Sequence, residues 1–65
     1  MNNSLTERER QILAHASNGL CYKQIASALN INDQTVKNHA QLIFAKLGAT
    51  NIANAVAIAI RNNII

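Results

Sequence analysis

Lysine and amide side chains in the middle of the chain have the spacing needed to hydrogen-bond an extended polar ligand. Gln34, Asn38 and Gln41, with Lys37 at one shoulder, fall on one helix face at about 100° per residue, and no acidic residue follows Asp33 in this segment. Amides and lysine are groups that read base edges in the major groove of DNA. The alternative is an ordinary solvated face, but such faces usually interleave both signs of charge. The pattern therefore favours a DNA-facing helix.

Catalytic and metal-binding groups are sparse. No paired carboxylates follow Glu9, no Ser/His/Asp set has supporting residues, and no glycine-rich loop could cradle a phosphate; we expect no enzyme activity. A structural zinc site needs about four ligands, whereas Cys21, His15 and His39 supply three candidates without recognisable spacing. We therefore expect neither a metal nor a cofactor, and a redox role for Cys21 is a minor alternative.

Length and composition predict a single all-α domain, assigned to residues 1–65 with a core from 5 to 62. The 65-residue chain has no proline, two glycines, one Phe, one Tyr and no Trp, and a sheet protein would need more turn glycines and aromatics. The longest apolar run, Ala55 to Ile60, is six residues, far below the ~20 that cross a bilayer. We expect a cytoplasmic protein without a membrane partner.

Net charge is +3 and unevenly distributed. Two of the three acids, Glu7 and Glu9, lie in the first ten residues, whereas five basic residues and only Asp33 follow from Arg10 onward. With a pI near 9.6, this asymmetry favours a polyanionic partner.

Capping residues divide the chain into four helices, predicted at about 7–18, from 21 or 22 to 29, 33–47 and 52–62. Thr6 and Glu9 form a capping box at the first helix start. Left-handed terminators follow the first three helices at Gly19, Asn30 and Gly48. Two short helices joined by a tight turn, the second longer and more polar, form a helix-turn-helix. The last four residues are expected to fray.

Five fragments in this order resemble the LuxR/GerE-type helix-turn-helix that ends NarL- and FixJ-type response regulators and quorum-sensing regulators. They are Leu5–Glu9, Gly19–Leu20, Lys23–Ala26, Thr35–His39 and Lys46–Gly48. The resemblance implies a bacterial transcription regulator, nucleoid-associated when bound, that inserts its third helix, 33–47, in the major groove. It also implies a homodimer formed through the fourth helix on an operator of two half-sites, with RNA polymerase as a further partner.

The resemblance also implies residue roles at matching positions. Base-reading positions correspond to Lys37, Asn38 and Gln41. Positions that hold backbone phosphates correspond to Lys23, Thr35, His39 and Lys46. Two of these have simpler interpretations, since His39 could merely cover the helix surface and Lys46 complements the helix dipole. Glu9 is interpreted as a cap and a salt-bridge partner.

Some positions depart from the family pattern. Leu42, Ala45 and Ile52 stand where relatives often carry polar or basic residues, and Cys21 stands where serine commonly caps the second helix. Loss of positive charge weakens phosphate anchoring and flattens the salt dependence of binding. These departures lower the expected affinity and leave the fold prediction unchanged.

The fourth helix is predicted to bury one apolar stripe and expose another. The inward stripe comprises Ile52, Ala55, Val56, Ala59 and Ile60. The outward patch, and predicted dimer interface, comprises Asn54, Ala57, Ile58 and Arg61. A stray surface isoleucine is the simpler interpretation of Ile58. The alternative function is a helix-turn-helix that has lost DNA affinity and heterodimerises with a related regulator.

Overall fold

The computed structural model describes residues 5–65, which form four α-helices and no strand. The helices are α1 (Glu7–Ser17), α2 (Tyr22–Leu29), α3 (Asp33–Leu47) and α4 (Ile52–Arg61). The all-α class and the helix-turn-helix are confirmed, and the predicted helix ends differ by one residue at α1 and α4, where Asn18 and Asn62 are the C-caps. Residues 1–4 of the predicted domain lie outside this description.

Local hydrogen bonds begin the helices where the sequence predicts. Thr6 Oγ1 accepts from the Glu9 amide at 3.1 Å, and Glu9 Oε1 accepts from the Thr6 amide at 2.9 Å. Asn32 Oδ1 accepts from the Thr35 amide at 2.8 Å and caps α3. Because caps satisfy amides that have no intrahelical partner, these contacts set the starting points of α1 and α3.

The core lies where the four helices meet. α1 packs against the other three helices, α2 packs on α3, and α3 packs on α4. Buried apolar residues come from all four helices and from Leu5, two residues before α1: Leu5, Ile12, Leu13, Ile25, Ala26, Val36, Ala40, Ile43, Ala55 and Ala59. The molecule measures 29 × 20 × 19 Å.

The predicted orientation of α4 is wrong at one position. Ile60, assigned to the inward stripe, is 55% exposed, whereas Ala55 and Ala59 are fully buried. The small alanines let the backbone of α4 approach the core closely, and Ile60 lies about 100° around the helix from Ala59. Ile58, predicted to be outward, is half-buried. The exposed isoleucine of α4 is therefore Ile60.

A helix-ending motif follows α4, where the sequence predicts fraying. Asn63 has a left-handed φ of 56°, and the Ile64 amide donates to the Ala59 carbonyl at 2.8 Å. This arrangement is the Schellman motif, which returns the chain onto the helix it ends. Ile64 packs against the core as a result.

No single helix between Leu5 and Ile65 has the length and apolar composition to span a membrane. α3 and α4 reach the necessary length and apolar composition only when they are taken together, and the two helices are bent by 50° relative to each other.

Candidate nucleic-acid interface

One side of α3 is exposed and polar, and it carries all three predicted base-reading residues. We call this surface the α3 face and define it as Gln34, Lys37, Asn38, Gln41 and Ala45, all exposed. The opposite side of the helix is fully buried at Val36, Ala40 and Ile43. Burial of that side fixes the rotation of α3 and directs the amides and Lys37 outward.

Leu42 borders the α3 face and is 53% exposed. An exposed leucine offers van der Waals contact instead of charge, which matches the thymine methyl group in the major groove. Because the leucine side chain has no charged or polar atom, Leu42 cannot anchor a phosphate, as the sequence predicts.

A hydrogen bond within the α3 face joins two of its amides. Gln34 Nε2 donates to Asn38 Oδ1 at 3.0 Å. The helical periodicity places Gln34 on this face but predicts no separate role for it. The i, i+4 spacing of two amides is the signal that could have identified the pair.

The four predicted phosphate-contacting residues have different environments. Lys23 is exposed on α2, whereas Thr35 and His39 are half-buried on α3. Thr35 Oγ1 donates to Asn32 Oδ1 at 2.8 Å, so its hydroxyl supports the α3 N-cap. His39 Nδ1 is buried, and no hydrogen-bond partner for it lies within residues 5–65. Of these three residues, Lys23 is the exposed one, and it carries a positive charge.

Lys46, the fourth of these residues, contacts α1. Its Nζ lies 2.8 Å from Glu9 Oε1. Glu9 is 2% exposed, and the same oxygen also accepts from the Thr6 amide. These contacts confirm the interpretation of Glu9 as a cap and a salt-bridge partner. We call the ion pair between the two side chains the Glu9–Lys46 pair.

The surroundings of Glu9 hold its carboxyl in the charged form. Burial alone would raise the pKa of Glu9, but the hydrogen bonds from Lys46 and Thr6 oppose this, as do the nearby charges of Lys46 and His39. Together they lower the pKa of Glu9 below its usual 4.5. A buried carboxylate that is charged and hydrogen-bonded ties the start of α1 to the end of α3.

The predicted dimer residues on α4 are only partly on the surface. Arg61 is exposed, whereas Asn54, Ala57 and Ile58 are half-buried. Asn51 Oδ1 accepts from the Asn54 amide at 2.8 Å and caps α4, while Asn54 Oδ1 accepts from the Thr50 amide at 3.0 Å in the turn before the helix. Ile60, which the sequence predicts to be buried, is an exposed apolar residue of this helix.

The family of this chain is shown by its sequence. Residues 3–59 match the family described as "Bacterial regulatory proteins, luxR family". The chain belongs to this family. The named relatives that match this chain are transcription regulators and not enzymes, in agreement with the sequence prediction.

Individual relatives agree with the family match. The chain is similar to the probable transcriptional regulatory protein SgaR of Hyphomicrobium methylovorum, with 45% identity over 92% of this chain and 28% of SgaR. It is also similar to the nitrate/nitrite response regulator protein NarP of Escherichia coli, with 49% identity over 82% of this chain and 23% of NarP. The chain thus spans about a quarter of the length of these relatives.

A solved structure shares the fold. The crystal structure of the response regulator ChrA, from a heme-sensing two-component system, superimposes with a TM-score of 0.93 at 36% identity. The match covers 97% of this chain and 31% of that protein. The chain is thus a helix-turn-helix domain of the type found in DNA-binding response regulators.

Proposed function

We propose that this domain binds DNA sequence-specifically by placing α3 in the major groove, where Lys37, Asn38 and Gln41 contact base edges. The observation that carries the proposal is that all three side chains are exposed on the α3 face, which holds no carboxylate. Lysine donates to guanine O6 and N7, and asparagine or glutamine suits adenine. Leu42 at the border of the face adds an apolar contact.

Phosphate contacts come mainly from Lys23, with Thr35 and His39 on the flank of α3. Lys23 is the exposed cation on α2, the first helix of the helix-turn-helix. Lys46 contributes less to this set, because its ammonium group already donates to Glu9. Few phosphate contacts give a shallow salt dependence, because each contact contributes about −0.9 to the slope of log K against log salt.

The domain acts as a homodimer on an operator of two half-sites, with α4 as the interface. Support comes from the exposed residues Ala53, Ile60 and Arg61 beside the half-buried Ala57 on one side of α4. Ile60 replaces Ile58 as the apolar centre of this surface, and Asn54 and Ile58 lie at its margin. A single module that reads a few bases binds weakly, so dimerisation supplies the needed affinity.

From this DNA-binding function we also propose the cellular location and the protein partner of the domain. A transcription regulator that binds operators works on nucleoid DNA in the bacterial cytoplasm, and RNA polymerase is the further partner through which it would act.

A second candidate is a DNA-binding-deficient domain that heterodimerises with a related regulator. Leu42 favours it because an exposed leucine borders the α3 face, and the Glu9–Lys46 pair favours it because that cation is already bound. The exposed Lys37 and Asn38 oppose it.

Selection from a random duplex pool, followed by a salt titration on the enriched sequence, tests both candidates. The proposed function predicts an enriched motif of two related half-sites and an affinity that falls with salt. Failure to bind any duplex at low salt, together with heterodimer formation in sedimentation, would establish the second candidate instead.

A further inference from the structure

The Gln34–Asn38 hydrogen bond has a consequence for base recognition. We infer that Gln34 is a specificity-determining residue that acts through Asn38, by setting which edge of the Asn38 amide meets the DNA. The inference rests on the proposed function, since it concerns the same α3 face. It adds a residue that makes no predicted base contact of its own.

An asparagine amide has two chemically different edges. Its oxygen accepts hydrogen bonds and its nitrogen donates two. A free exposed amide can present either edge, and a hydrogen bond from a neighbour selects one. Because Gln34 Nε2 donates to Asn38 Oδ1 at 3.0 Å, the oxygen of Asn38 is turned toward Gln34 and its Nδ2 is left to face outward.

The position of Gln34 in the helix explains why it is the donor. Gln34 lies in the first turn of α3, where backbone amides without intrahelical partners and the positive end of the helix dipole attract oxygen atoms. Its Oε1 is therefore favoured on the N-terminal side, and its Nε2 points along the helix toward Asn38. One turn after Asn38, Leu42 has no polar side-chain atom, and among residues 5–65 the hydrogen bond to the Asn38 side chain comes from Gln34 and not from Gln41.

An outward Nδ2 selects bases that present acceptors. Guanine O6 and N7, adenine N7 and thymine O4 accept in the major groove, whereas cytosine presents only the N4 donor. Asn38 Oδ1 keeps one lone pair, so bidentate contact with adenine stays possible. The pair therefore disfavours cytosine at the base that Asn38 contacts.

Two substitutions of Gln34 test the inference in the random-duplex selection. Gln34→Met keeps the length of the side chain and removes the hydrogen bond, so the base preference at the Asn38 position should relax about two- to fivefold. Gln34→Glu introduces a group that only accepts, so Nδ2 turns inward and the preference should shift toward cytosine. Base ratios at one position are compared, which separates this shift from the overall affinity loss that a negative charge causes.

Asn38→Ala identifies the affected position, and Gln11→Met is the matched control, since Gln11 is an exposed glutamine on α1. Circular dichroism verifies that each variant is folded. The inference is supported if, at that position, Gln34→Met relaxes the base preference and Gln34→Glu shifts it toward cytosine. Gln11→Met should leave the base preference unchanged. If Asn38→Ala relaxes a position that both Gln34 variants leave unchanged, or Gln34→Glu behaves like Gln34→Met, the inference is wrong while the proposed function stands. A wild-type domain that enriches no motif overturns both.

Discussion

Lys37 and Lys46 lie on the same helix, and their environments differ. Lys37 is exposed on the α3 face, and within residues 5–65 no carboxylate lies at ion-pair distance from it. Lys46, near the other end of α3, has its Nζ 2.8 Å from the buried Glu9 carboxylate. One lysine is thus available to a ligand, and the other joins two helices. Lys37 therefore belongs to the recognition surface, the α3 face, whereas Lys46 belongs to the contact with α1 that helps to orient this surface.

The Glu9–Lys46 pair matters to recognition because it helps to hold α3 in place. A carboxylate that is 2% exposed is costly to bury unless partners satisfy it. Thr6 and Lys46 supply those partners from the start of α1 and the end of α3. The α3 face is therefore presented by a helix whose buried side and C-terminal end are both fixed.

The largest expected effect follows from removal of Glu9. Glu9→Ala deletes the capping-box acceptor and the ion pair and leaves a cavity, so we expect the free energy of unfolding to fall by about 2–4 kcal/mol. Urea denaturation measures this change. In a domain of this size, the loss should be visible as a large fall in the denaturation midpoint.

The matched control is Glu7→Ala, two residues earlier. Glu7 pairs with Arg10 at 3.3 Å, but both side chains are well exposed, at 75% and 43%. Exposed pairs contribute little, so this variant should lie within about 0.5 kcal/mol of the wild type. Equal destabilisation by the two variants would contradict a special role for the buried carboxylate.

The two lysines should respond in opposite ways to the same substitution. Lys37→Met should relax base preference by about 1–3 kcal/mol and leave the free energy of unfolding unchanged. Lys46→Met should lower the free energy of unfolding by about 1–3 kcal/mol, because Glu9 stays buried without its cation. Duplex selection measures the base preference of both variants, and urea denaturation measures their free energy of unfolding. A stability loss confined to Lys37→Met would contradict the roles given to the two lysines.

The smallest expected effect is on the pH dependence of stability. Because the pKa of Glu9 is lowered in the folded protein, its contribution is present above the usual value of 4.5 and is lost as pH falls through the folded pKa. Stability should therefore decline on acidification below about pH 4.5. Glu9→Gln removes the titrating group and should show a shallower decline in urea denaturation at each pH; identical profiles would exclude Glu9 as a contributor.

Sequence reasoning succeeded where the deciding interactions are local. The capping box of Thr6 and Glu9 and the left-handed stop at Gly48 act within a few residues, so the helix ends were predicted to within one residue. It failed at Ile60, because a helical wheel gives angles between residues but not which angle faces the core. In α4 the alanines, and not the isoleucines, make the closest approach.

By itself, the sequence determined the four helices, the family and the membership of the α3 face, since these depend on short-range periodicity and residue type. Only the tertiary structure decided which charged groups remain available for DNA. Glu9 and Lys46 are separated by 37 residues, and no local rule connects them. Packing of the apolar sides of α1 and α3 brings the two together, and the ion pair offsets the cost of burying the carboxylate. Lys37, by contrast, has no carboxylate at ion-pair distance within residues 5–65.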